Sequence, residues 1–291
     1  MKNMLKTGLL MTILMGFCLM VGEILGGRQG LLFAFLVGGV SNLFMYWFSD
    51  KLVLGMHRAT PVSQQELPEV YAIVRELTTQ ANIPLPKIYL IDTPLPNAFA
   101  TGRNPSHAAV AVTRGILDIL DERELRGVLA HELSHVLHRD ILISTIASVL
   151  AGAIMLLARM AMWGTLFADR RRSDNEGMHP LAGLLMLVLA PLAAMLIQMA
   201  ISRSREFHAD EAGARLSQDP LALARALQKI ERVASTGGLP SGNPTMAHLY
   251  IINPFNLEGV TRLFLTHPTT SERISRLEEI AGHLKLSRRY Y

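Results

Sequence analysis

Cysteine is nearly missing from this sequence: Cys18 is the only one in 291 residues. No disulfide can form within the chain, which fits a catalytic portion kept in a reducing compartment. Polar residues are short as well, since 50% of the chain is hydrophobic and the mean hydropathy is +0.28. At 32.1 kDa, that balance reads as a membrane protein carrying one modest globular portion. No base-reading motif accompanies the formal charge of +4 and the pI of about 9.4. Nucleic acid is therefore excluded as a partner, because Lys and Arg beside membrane segments set topology and meet anionic headgroups. The long apolar runs hold almost no ionisable groups apart from Glu23 and Arg159 near their ends. That argues against a transporter, whose path needs such groups.

What is present first is a set of four apolar runs. Leu9 to Leu25 follows Lys2 and Lys6 and is at the short end of the about 20 helical residues that cross a bilayer. It has the look of a signal-peptide core, but no clear small-residue cleavage site follows it, so it is expected to remain as an anchor. A Gly26-Gly27-Arg28-Gln29-Gly30 turn leads to Leu31 through Phe48, which ends in Tyr46, Trp47 and Phe48, and Lys51, His57 and Arg58 come next. Positive charge at both ends of this hairpin gives them a cytoplasmic placement. Ile141 to Met162 and Leu181 to Ala200 form a second pair, the latter with Pro191, which a membrane helix tolerates as a kink. Arg170, Arg171 and Arg172 between them conflict with an outside loop.

The rest reads as a soluble portion. Ser63-x-x-Glu66 is a capping box for a helix through about Gln80, with Val70, Ile73, Val74 and Leu77 as its apolar stripe. Lys87 to Ile91 and Ala108 to Thr113 read as strands. Through Ala108, Val110 and Val112 the second could pair with an extended peptide substrate, and an ordinary sheet strand fits equally well. Asp121 with Glu124 predicts a helix from near Glu122, and Asp219 with Pro220 one that ends near Ser235. A Gly, Pro and Asn-rich stretch to about Asn256 is either a substrate-facing flap or a passive connector. The last helix is expected over Ser271 to Leu284, with Glu272 and Arg276 as an i,i+4 pair.

The chemistry centres on His131-Glu132-Leu133-Ser134-His135. Positions i and i+4 share a helical face, so both imidazoles can meet one cation while Glu132, turned about 100° away, stays off it. Zinc suits such ligands, and three protein ligands leave a fourth position for water, whose pKa falls to about 7. Glu132 is then placed to take that water's proton and pass it to a leaving amine. Downstream, Glu206 and Asp210 again share a face, so Glu206 can be the third ligand while Asp210 accepts the other ring N–H of a ligand histidine. His138 and His208 fall off these faces and are expected at the rim. A non-hydrolytic zinc-stabilised scaffold is the rival reading, against which Glu132 argues: a structural site has no use for an adjacent base.

Three segments together, His131-Glu132-Leu133-Ser134-His135, Ser202-Arg203-Ser204-Arg205-Glu206-Phe207-His208-Ala209-Asp210 and Asn97-Ala98-Phe99-Ala100-Thr101-Gly102, resemble the HtpX family of bacterial membrane-bound zinc endopeptidases, related to the CAAX prenyl endopeptidases. The resemblance runs over nearly the whole chain. It implies a mainly α protein with a small β-sheet: an integral membrane protein with four membrane helices and a gluzincin-like zinc peptidase domain. The expected parts are a transmembrane hairpin at 1–50, catalytic halves at 51–140 and 201–291, and a second hairpin at 141–200 between them. It further implies one Zn2+ per subunit, a place in the bacterial cytoplasmic membrane with the site on the cytoplasmic side, and contact with the lipid bilayer. Expected substrates are misfolded or damaged membrane proteins, in a stress response, with self-cleavage; a dedicated substrate such as a prenylated peptide is the alternative. Asn97 is expected beside the site as a substrate-binding residue. His267 and Arg273 match the family's C-terminal motif and would stabilise the charge that develops on the substrate carbonyl oxygen.

Overall fold

The computed structural model describes residues 2–138, 140–142, 146, 203–236, 251 and 268–287. Its centre is a four-stranded mixed sheet of β1 (Thr60–Pro61), β2 (Lys87–Ile91), β3 (Ala98–Gly102) and β4 (Ala108–Thr113), in the order β1-β2-β4-β3. β2 runs parallel to β4, with Ile88 opposite Val110, while β3 runs antiparallel to it, with Ala100 opposite Val110. Side chains alternate between two covered faces. Ile88, Ala98, Ala100, Val110 and Val112 enter the main core, and Ile91, Phe99, Ala109 and Ala111 meet Val53 and Leu54 of α1 (Lys2–Met56).

This order corrects the expected role of Ala108, Val110 and Val112. β4 is an interior strand with both of its backbone edges engaged, so it cannot receive a peptide. Among the described strands the edge on this side belongs to β3, which local sequence signals do not separate from a turn.

α1 reverses direction within its length. Gly27 has φ +54, and a Cβ placed on Gly39 would lie 3.7 Å from Met15 Cε. On a straight helix those residues would be about 36 Å apart, so the two legs lie side by side. The second leg exposes Leu32, Phe33, Phe35 and Leu36. Among the described residues, no helix is long and apolar enough to cross a membrane. The expected segments at 141–162 and 181–200 lie outside the described residues except for 141, 142 and 146.

α2 (Pro68–Gln80) buries Val70, Ile73, Val74 and Leu77 as its periodicity requires. It begins later than the Ser63-x-x-Glu66 box predicts. Only half of the box forms: Ser63 N–H and Oγ–H donate to Glu66 Oε2 at 2.6 and 2.7 Å, while Glu66 N–H goes to the Ser63 carbonyl at 3.2 Å and closes a turn. Leu67 precedes Pro68 and is held at φ −132, ψ 66, outside the helical region, by the proline ring.

α3 (Arg114–Ile119) leads to α4 (Glu122–Leu137), the helix on which the site is built. Its capping box is complete: Glu124 N–H donates to Asp121 Oδ1 at 2.9 Å and Asp121 N–H to Glu124 Oε2 at 3.0 Å. Two of the first turn's orphan donors are thereby satisfied, and the start of the helix is fixed. Leu125, Val128, Leu129, Leu133 and Val136 bury it among α2, β3 and two later helices, α5 (Arg203–Ser217) and α6 (Pro220–Thr236).

α7 (Thr270–Ser287) closes the bundle against α5 and α6. The expected Glu272 and Arg276 pair is replaced. Glu272 caps its own helix, accepting from Thr269 N–H at 3.0 Å, and Arg276 Cζ sits 4.3 Å from the centre of the Phe207 ring.

Candidate metal centre

One turn of α4 separates His131 from His135, and their rings stand perpendicular with centroids 4.9 Å apart. α5 crosses at this point. Glu206 Oε2 lies 3.8 Å from His131 Nε2, and Oε1 lies 3.9 Å from His135 Nε2. One ligand atom from each of the three falls within 4.8 Å of the others. Bonds of about 2.0–2.2 Å to nitrogen and oxygen put tetrahedral ligand atoms about 3.4 Å apart, so small side-chain movements would seat a cation.

Gly213 makes the crossing possible. It lies seven residues beyond Glu206, on the same side of α5, and a Cβ there would meet His131 Cα and N at 2.8 Å. No longer residue fits without pushing the two helices apart.

Each of the two histidines is backed by a carboxylate. His131 Nδ1 is 2.9 Å from Asp210 Oδ1, and His135 Nδ1 is 3.2 Å from Asp140 Oδ2. His135 Nδ1 is hydrogen-bonded to Asp140, whereas His131 Nδ1 approaches Asp210 closely but off the hydrogen-bond line; both contacts leave Nε2 turned to the shared centre, the arrangement that orients a metal-binding imidazole. Asp210 stands where its helical spacing places it. Asp140 is an addition that sequence reasoning misses, although a carboxylate just past the helix end and five residues from a ligand is a readable signal.

Arg273 stands in a different place from the one expected. It is fully buried, and its Nε and Nη2 donate to Asp210 Oδ2 and Oδ1 at 2.8 and 2.7 Å, while Nη1 donates to the Ile251 carbonyl at 2.7 Å. Its planar fork is matched to a carboxylate behind His131, so it holds Asp210 rather than facing a substrate carbonyl. His267 lies outside the described residues.

Electrostatics favour a cation here. Glu132, Asp140, Glu206 and Asp210 surround the two imidazoles, and all four are buried. Burial would raise the Asp210 carboxyl, but the Arg273 guanidinium outweighs it and holds the group below its usual range. Burial would lower His135, yet Asp140 beside it, with Glu206 and Glu132, pushes the imidazole up to about 10. A site that draws a proton so strongly offers the same negative field to a metal ion. The donor set fits zinc: two imidazoles and one carboxylate, each imidazole backed by an acceptor.

Glu132 stays off the ligand set. It is buried, and its Oε2 accepts from Ala100 N–H of β3 at 3.0 Å. Burial raises its carboxyl, and the neighbouring His131 and His135 oppose that shift. Because Ala100 N–H reaches Glu132, the backbone groups of Ala98, Ala100 and Gly102 turn away from β4, along the outer edge of the described sheet beside the centre. Asn97 stands just before that edge. His138 ends α4, its Nδ1 2.7 Å from the Ser134 carbonyl oxygen, and His208 is exposed, so neither joins the ligands.

Comparison with known proteins agrees with this geometry. The chain is 52% identical over 286 residues to the Protease HtpX homolog of Thermococcus sibiricus, covering 97% of this chain and 98% of that one. It is 53% identical over 281 residues to the Protease HtpX homolog of Methylibium petroleiphilum, covering 95% and 97%. The crystal structure of S. mikatae Ste24p shares the fold at a TM-score of 0.50 and 18% identity, over 95% of this chain and 66% of that one. The family model for Peptidase family M48 matches residues 64–281, and with its two histidines and one carboxylate gathered on α4 and α5 the chain belongs to that family and is a metallopeptidase.

Proposed function

We propose that the chain is a membrane-bound zinc endopeptidase in which His131, His135 and Glu206 hold one Zn2+ per subunit and Glu132 is the general base. The observation that carries this reading is the meeting of the three ligand atoms within 4.8 Å, with a buried Glu132 next to them but outside the set. Zinc held by His131, His135 and Glu206 would supply Lewis acidity, lowering the pKa of the attacking water to about 7.

The chain's own residues do the rest. Glu132 would take a proton from the attacking water and later hand it to the leaving amine, a role suited to a carboxyl that burial raises. Asp210 and Asp140 hold the two imidazoles in the tautomer that presents Nε2. An extended substrate adds to the edge of β3, with Ala98 and Gly102 offering backbone groups on either side of Ala100.

The apolar second leg of α1 anchors the enzyme in the bacterial cytoplasmic membrane, with the site on the cytoplasmic side. Its substrates are misfolded or damaged membrane proteins, and its own chain is open to self-cleavage. Glu132→Gln tests the chemistry: zinc content should be kept while turnover drops by about 10²- to 10⁴-fold. Full cleavage by the zinc-loaded variant would remove the mechanism. Comparing membrane-fraction fragments from cells with the wild-type or Glu132→Gln enzyme tests the substrate class. Many substrates are expected, and a single one would mean a dedicated processing peptidase.

A further inference from the structure

Asn97 is expected from sequence to touch substrate, yet the structure ties its side chain to something else. Ile251 N–H donates to Asn97 Oδ1 at 3.1 Å. The carbonyl of the same Ile251 accepts from Arg273 Nη1 at 2.7 Å. Arg273 grips Asp210 through Nε and Nη2, and Asp210 Oδ1 lies 2.9 Å from His131 Nδ1. Asn97, Ile251, Arg273, Asp210 and His131 thus form one line, brought together from five separate parts of the chain.

Every member of the line is at most 4% exposed. Water cannot replace a missing partner, so a lost bond leaves a buried polar group unsatisfied and displaces its neighbours. The Asn97 backbone is itself fixed, since its N–H donates to Thr113 Oγ1 at 2.8 Å and its carbonyl accepts from Thr113 N–H at 2.9 Å. The sheet therefore aims the Asn97 carboxamide at Ile251.

We infer that Asn97 is a positioning residue for the metal centre: through the Ile251 peptide group and Arg273 it sets Asp210, and through Asp210 the His131 imidazole. The strand edge offered to substrate and the ligand that holds the metal are then braced by the same buried line. This rests on the assignment of His131, His135 and Glu206 as zinc ligands.

The test measures zinc affinity by chelator competition, together with steady-state kinetics, on the full-length protein. Wild type should bind one zinc per chain; failure there sinks the zinc assignment itself, and it is read on the unaltered protein before any variant is compared. Asn97→Ala should weaken zinc binding by up to about tenfold, the low end for residues that orient ligands, and lower kcat with KM held. Arg273→Lys should weaken it further, and combining the two should cost less than the product of the single effects.

Ile251→Pro removes the N–H and should behave like Asn97→Ala. Ile251→Ala keeps both backbone groups and should keep zinc affinity. A raised KM with unchanged zinc affinity in Asn97→Ala would make Asn97 a substrate contact and overturn the inference. Independent effects in the double variant, or equal zinc loss in Ile251→Ala and Ile251→Pro, would overturn it too. If Asn97→Ala does not fold, the Ile251 pair decides alone.

Discussion

His131 and His135 sit one turn apart on the same helix, yet they are held in different ways. Behind His131 stand Asp210 from α5 and Arg273 from α7, all nearly inaccessible to water. Behind His135 stands Asp140, five residues along the chain, and the His135 side chain is 17% exposed. The first histidine is oriented by tertiary structure and the second by local sequence. Damage to the first should therefore unfold the protein, whereas damage to the second should only loosen the metal.

The sharpest way to break that contrast is Arg273→Ala. It strands the Asp210 carboxylate in a dry site, where losing one partner of a buried pair costs about 3–5 kcal/mol. Urea titration should show that loss, and Asp140→Asn should not; equal losses would erase the distinction.

Gly213→Ala comes next. Its Cβ would press on the His131 backbone, and overpacking of this kind costs about 1–3 kcal/mol. Gly282→Ala in α7 meets nothing within 4 Å and should be neutral or stabilising by less than about 1 kcal/mol. The Gly213 variant should also bind zinc more weakly.

Asp140→Asn should weaken zinc about tenfold, since loss of an orienting partner typically costs 10- to 100-fold, while thermal unfolding stays close to wild type. A large drop in Tm would mean that the His135 side is as structural as the other.

The smallest effect is a pH dependence. Burial would raise the Asp210 carboxyl, but Arg273 holds it below the usual carboxylate range. A carboxyl depressed by folding contributes stability that is complete above its unfolded value and is lost as pH falls through the folded one. The stability gap between wild type and Asp210→Asn should be widest near neutrality and close below about pH 4. A gap that persists in strong acid would mean that the pair is not ionised.

Local pattern makes α4 legible. Its cap residues, its apolar period and its histidine spacing all act within a turn or two, so their physical effect can be read directly. Glu206 and Asp210 are legible for the same reason. β4 is readable as a strand but not as an interior one until its neighbours are known, although six buried residues in a row without polar alternation is the mark of a strand covered on both faces. β3 is short and made of small residues, so nothing in Ala98–Gly102 distinguishes an edge from a turn. Gly213 could be suspected from its place seven residues after Glu206. Ile251 could not, because it acts through backbone groups that every residue possesses.

The sequence by itself determined the chemistry: which side chains could hold a metal, which one could move a proton, and which helices would carry them. These depend on residue type and helical spacing, and neither needs long-range contacts. Only the tertiary structure decided that β3 rather than β4 offers its edge, that Arg273 serves Asp210, and that Asn97 faces Ile251. Strand order and buried hydrogen bonding between distant segments depend on which surfaces exclude water together, and no local stretch of chain specifies that.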